Sequence, residues 1–178
     1  VAAAAFAWEL ARLAGAECYF VHGTRPMVTS SAAVEFVADV DALLAQQVDA
    51  ARMGVAAALA RALPAEAVGR LEVRLGRGAA VISEVARERK AALIVLGGKH
   101  HSALGRWMGG STAHHVLRAT DIPLLVTGER PGPIRRVLVA ADLSYAVKPT
   151  CEAALRLAQL FGAQVRVLHA VEPVPILA

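Results

Sequence analysis

The sequence predicts an α/β fold built on a parallel sheet, and three features point to it. Segments with helical spacing alternate with short apolar runs along the 178 residues. One run, Ala92-Leu93-Ile94-Val95-Leu96, is apolar throughout and of strand length, as suits a strand buried on both faces of a parallel sheet. A helix-plus-strand segment also recurs at a shift of 147 residues, about the size of one domain.

The elements follow in order. Phe6, Leu10 and Leu13 share one face of a helix over 3–14, which Gly15 stops. Cys18–Val21 is a short apolar strand, and 22–26 is a loop. Residues 32–62 read as one long helix broken by Pro64. Leu71–Leu75 alternates like a half-buried strand. A helix over 79–89 presents Val81, Ile82 and Val85 on its apolar side. The strand at 92–96 leads into a glycine-bearing loop over 97–110, then a helix over 111–119 and a strand over 122–127. Gly128-Glu129-Arg130-Pro131-Gly132-Pro133 is the clearest linker. Beyond it lie a strand over 136–140, a helix over 149–161 with Pro149 in its first turn, and a strand over 165–168.

In the repeat, Gly15 aligns with Gly162, His22 with His169 and Pro26 with Pro173. The predicted organisation is a first domain over 1–128, a linker over 129–135 and the opening of a second domain over 136–178. In the second repeat the strand at 136–140 precedes the helix, so its counterpart in the first would lie before residue 1. The expectation is a longer native protein that supplies this strand. The alternatives are circular permutation, with 136–140 returning into its own first domain, and insertion of that strand into a neighbouring molecule.

Composition narrows the function classes. Hydrophobic residues make up 56% of the chain, much of it alanine, and no uninterrupted apolar stretch reaches membrane-spanning length. The alanine-rich start has neither a basic leader nor a cleavage pattern, so it reads as an amphipathic helix rather than a signal peptide. Cys18 and Cys151 are too few for a disulfide framework, and a reducing cytoplasm is the expected setting. The net charge of +4 is spread over scattered arginines, and aromatics are only 4%, which argues against nucleic acid as a partner.

The loop after residue 96 carries the chemistry. A loop at the carboxyl end of a buried parallel strand is where open α/β sheets bind ligands. Gly97 and Gly98 let backbone approach a phosphate, with Lys99 adding charge. Gly110-Ser111-Thr112 opens a helix, whose free N–H groups and dipole favour an anion, and Ser111 and Thr112 add hydroxyls. The competing structural explanation is a tight strand-to-helix connection in which Ser111 is only a cap. His100-His101 and His114-His115 sit in no recognised metal-ligand pattern. Ser111 has no base and orienter at an interpretable spacing, and neither a Walker lysine motif nor a dinucleotide fingerprint is present.

Gly97, a gap filled by Gly98-Lys99, then nine residues from His100 to Gly110-Ser111, followed by Val116-Leu117-Arg118 and Ile122–Val126, resemble the universal stress protein family. That family's hallmark is a glycine, two residues, a glycine, nine residues, then glycine and serine or threonine. His100 stands where the second glycine is expected. Val137–Ser144 and Val167-Leu168-His169 resemble the opening of a second such domain.

The resemblance implies an open five-stranded parallel sheet of order 3-2-1-4-5 with helices on both faces. It implies a stress-response or regulatory module that binds ATP, alone or with Mg2+, at Gly97, Gly98, Lys99, His100, Gly110, Ser111 and Thr112. Asp142 corresponds to the family's first-strand aspartate, and Gly23 to a position beside adenine. The resemblance also implies pairing through the last strand, 124–127, in a homodimer or an intramolecular pseudo-dimer. The alternatives are a family member that has lost ATP and acts through dimerisation or protein partners, and a weak ATP hydrolase or phosphotransfer enzyme.

Overall fold

A computed structural model describes residues 1–27, 40–98, 112–128, 132–142 and 144–171. The chain divides into two compact units, Val1–Pro131 and Gly132–Ala178.

In the first unit, helix α1 (Ala2–Ala14) is alanine-rich, as its helical propensity favours. Gly15 ends it in the left-handed conformation. The Gly15 N–H donates to Arg12 O at 3.3 Å and the Ala16 N–H to Ala11 O at 2.9 Å, which satisfies carbonyls the last turn leaves open. Strand β1 (Phe20–Thr24) follows, then α2 (Val40–Leu59) and a short α3 (Ala65–Val68) that the sequence reading had not separated out. Pro64 caps α3: its fixed φ suits a helix start, and its missing N–H is lost where no helical partner exists. Strand β2 (Leu71–Leu75) shows the expected alternation, with Leu71 and Val73 buried. Helix α4 (Gly78–Glu88) buries Val81 and Val85. Strand β3 (Ile94–Gly97), α5 (Thr112–Ala119) and β4 (Leu124–Thr127) complete the unit.

Two apolar clusters organise it. Phe20, Leu59, Leu63, Ala67, Leu71 and Val73 form one, with Ala4, Ala5 and Trp8 of α1 packed against it. Ala86, Ile94 and Val116 form the other, with Ile82, Leu96 and Leu124 around it. Helix α4 also packs on β1 and on α5, and α1 reaches β3. Phe20 and Gly23 project to opposite faces of β1, because strand side chains alternate. Phe20 meets the α1–α2 cluster, whereas a Cβ at Gly23 would lie 2.8 Å from Gly78 Cα at the start of α4. Helices therefore cover both faces of β1, as expected.

The single five-stranded sheet of order 3-2-1-4-5 is not what the described strands form. They make three separate parallel pairs, β1–β2, β3–β4, and β5 (Arg136–Ala140) with β6 (Gln164–Leu168). Phe20–Thr24 pairs with Leu71–Leu75, and Ile94–Gly97 with Leu124–Thr127. These are the two outer pairs of the expected order. Among the described residues no strand lies between β1 and β3, so nothing joins the pairs into one sheet. Return of residues 136–140 into their own first domain is not realised either: Val137 pairs with Val165 and Val139 with Val167.

One boundary also shifts. The strand expected from Cys18 begins its pairing at Phe20, and among the described residues Cys18 and Tyr19 pair with no strand. The part of the predicted long helix over 32–39 lies outside the described residues.

The second unit is β5, α6 (Val147–Phe161) and β6, with α6 packed on both strands. Gly162 ends α6 as Gly15 ends α1.

Candidate functional site

Two groups of residues stand at the carboxyl ends of parallel strands, one in each unit. In the first unit, Gly97 closes β3 and Gly98 follows it. The Gly98 N–H donates to Thr127 O at 2.8 Å, locking the start of the loop to the end of β4. A Cβ at Gly98 would lie 2.9 Å from that carbonyl oxygen, and one at Gly97 3.2 Å from the Ala3 Cβ. Close packing within the protein thus accounts for glycine at both positions. Thr112 is exposed and begins α5. Lys99, His100, Gly110 and Ser111 lie outside the described residues.

Sequence reasoning passed over Thr127. Its side-chain oxygen is buried at the end of β4 and has no hydrogen-bond partner among the described residues. A buried hydroxyl left unbonded carries a desolvation cost, so it marks a place where a polar group would be welcome. The available signal was a threonine closing an apolar strand beside a glycine loop.

Gly23 belongs to the interior rather than to an open pocket. The space its side chain would fill is taken by Gly78 Cα at 2.8 Å and Gly76 O at 3.2 Å. Glycine here admits the turn between β2 and α4 against β1. His22 lies within β1 and is exposed, not at the strand's end.

In the second unit, Asp142 lies two residues beyond β5. Its Oδ1 accepts the Ser144 N–H at 3.0 Å, and the Ser144 Oγ accepts the Ala146 N–H at 3.2 Å. These links form the turn that launches α6, the local side-chain-to-backbone bonding that Asp and Ser favour. The Ser144 N–H holds the Asp142 carboxyl below its ordinary range, with a further hydrogen bond from the Ser144 side chain acting the same way. The carboxylate is therefore ionised at neutral pH and offers only acceptors.

At the end of β6, His169 Nδ1 lies 2.6 Å from Ala141 O. A carbonyl only accepts, so Nδ1 carries the proton and Nε2 faces outward from that bond. An open cavity of about 400 Å3 lies here, lined by Ala141, Asp142, Val147, Thr150, Leu168 and Ala170 among others. That volume falls within the roughly 300–1,000 Å3 of small-molecule pockets.

The structure thus gathers Gly97 and Gly98 with Thr127 in one unit, and Asp142 with His169 and Thr150 in the other. Among the described residues no three His, Cys, Asp or Glu side chains cluster as a metal site. His114 and His115 stand with ring centres 6.4 Å apart and planes at 72°. No helix among the described residues is long and apolar enough to cross a membrane.

No curated protein matches the chain. The model of the universal stress protein family matches residues 1–128, a stretch that contains both outer strand pairs and the Gly97-Gly98 loop start. With well over half of its length in that match, the chain belongs to the universal stress protein family, as a stress-response α/β domain followed by a second, smaller unit.

Proposed function

We propose that the chain is a regulatory module that binds an adenine nucleotide and does not turn it over. The observation that carries this reading is the Asp142 turn, an ionised and positioned carboxylate opening onto a cavity at the carboxyl end of a parallel strand pair. A carboxylate accepts from ribose hydroxyls or an exocyclic amine and repels phosphate, so the Asp142 cavity suits the nucleoside end of the ligand. Within the first unit by itself, the glycine loop start and the N-terminus of α5, where Thr112 adds a hydroxyl, suit the phosphates of a nucleotide bound by that unit. Mg2+ would enter with the phosphates rather than through a protein cage.

Calorimetric titration of ATP and Mg2+ into the full chain tests the reading. Binding in the micromolar to millimolar range, weakened by Asp142→Ala and without release of phosphate, is the expected result. Steady phosphate release would instead support a hydrolase. The absence of heat at millimolar ATP would leave the second reading, a family member that acts through association alone. That reading draws on the packing roles of Gly23, Gly97 and Gly98, and on Val126, half-exposed on β4, which among the described residues is paired on one side only.

A further inference from the structure

The chain leaves β1 as Thr24-Arg25-Pro26-Met27. Pairing with β2 ends at Thr24, opposite Leu75. Pro26 has no N–H to offer and disfavours helical backbone at Arg25. Beyond the ladder one side chain takes over, Gln47 of α2. Its Nε2 donates to Arg25 O at 2.5 Å and to Thr24 Oγ1 at 3.3 Å, and its Oε1 accepts the Met27 N–H at 3.1 Å. The amide thus brackets Pro26, taking the carbonyl before it and the N–H after it.

These partners fix which end of the amide is which. A backbone N–H only donates, so it meets Oε1; a carbonyl only accepts, so it meets Nε2. Thr24 Oγ1 lies on the Nε2 side and therefore accepts. Its own proton is turned away from Gln47, and among the described residues no acceptor takes it.

The clasp rests on a fixed base. Val48 and Ala51, close to Gln47 on α2, pack against the cluster of Phe20, Leu59 and Leu71. Thr24 shares the face of β1 that carries Phe20, because strand side chains alternate, so it meets the helix that covers Phe20. Through its backbone, Thr24 O accepts the Gly76 N–H at 2.8 Å. The end of β1 is held both from α2 and from the turn before α4.

Open α/β sheets meet ligands at the carboxyl ends of their strands, and Thr24 is the carboxyl end of β1. We propose that Gln47 is a positioning residue for a nucleotide bound by the first unit. It fixes the path of residues 24–27 and turns the Thr24 hydroxyl outward, as a donor to an acceptor atom of the ligand. Gln47 acts through Thr24, since both of its own N–H groups are engaged by the chain. The donor role rests on the nucleotide reading; the clasp does not.

Gln47→Ala, Thr24→Val and the double variant of the full chain test both parts. Alanine suits the helix and valine the strand, so the elements persist. Without nucleotide, Gln47→Ala should speed exchange of the Met27 amide, and Thr24→Val should leave it slow. Unchanged Met27 exchange in Gln47→Ala overturns the clasp. With ATP and Mg2+, the affinity read from the Gly98 amide shift should fall about tenfold in either single variant, the size of one hydrogen bond. It should fall no further in the double variant, because both changes remove the same contact. Thr24→Ser, which keeps the hydroxyl, should bind as the unsubstituted chain does, and the affinity read at Ser144 in the second unit should not change in any variant. Full affinity at Gly98 in Thr24→Val, or additive losses in the double variant, overturns the donor role. No shift at Gly98 in the unsubstituted chain defeats the nucleotide reading of this unit and the donor role with it, while the Met27 exchange still decides the clasp.

Discussion

Gly15 and Gly162, 147 residues apart, end their helices in the same left-handed conformation, φ 62 and ψ 30 at the first and φ 61 and ψ 32 at the second. The bonds around them repeat as well: Ala16 N–H to Ala11 O at 2.9 Å, and Ala163 N–H to Ala158 O at 2.8 Å. A repeat legible as paired letters is thus a repeat of backbone geometry. It relates the α1–β1 segment of the family domain to the α6–β6 segment of the second unit.

A side chain at either glycine would meet nothing within 4 Å, so only the backbone conformation resists it. Gly15→Ala and Gly162→Ala should each cost about 1 kcal/mol, the penalty of a left-handed non-glycine residue. Amide exchange should show the first loosening α1 and the second loosening α6. A change that leaves both helices equally protected would contradict the cap assignment.

Gly23 and Gly54 make opposite predictions for the same substitution. At Gly23 a Cβ would stand 2.8 Å from Gly78 Cα, backbone against backbone, so Gly23→Ala should destabilise by about 1–3 kcal/mol. Gly54 lies inside α2 with nothing within 4 Å, so Gly54→Ala should stabilise by up to about 1 kcal/mol. Urea unfolding of the two variants checks the contrast.

The Asp142 turn carries a pH signature. Its folded carboxyl is held below the ordinary value of about 4, so its contribution is complete above that value and is lost as pH falls through the lower, folded one. The Ser144 amide resonance should therefore stay constant from pH 7 to about 4 and titrate below that. Titration at or above the ordinary carboxyl value would show that the hydrogen bond is not formed.

Much of the fold was readable from local pattern. Leu71–Leu75 alternates in sequence and in burial, and Gly15 and Gly162 stop helices. The long helix stops at Leu59, before the expected break at Pro64, and Pro64 instead caps α3. Sheet assembly was not readable, because pairing depends on which neighbour is present. The run Ala92–Leu96 reads as buried on both faces, but that pattern does not say which strands lie at its edges; among the described residues β3 pairs with β4 alone. The site was legible in part. Asp142 and Thr112 stand at strand-end and helix-start positions, as motif spacing suggested. The inward packing of Gly23 and the unbonded hydroxyl of Thr127 depend on contacts between distant segments, which spacing does not encode.

Nucleotide binding at the strand ends is tested most directly by amide resonances recorded while ATP and Mg2+ are titrated into the full chain. Shifts concentrated at Asp142, Ser144 and His169 in the second unit, and at Gly97, Gly98 and Thr127 in the first, are the expected result. No shift at millimolar ATP, or shifts confined to surface arginines such as Arg74 and Arg89, would contradict it.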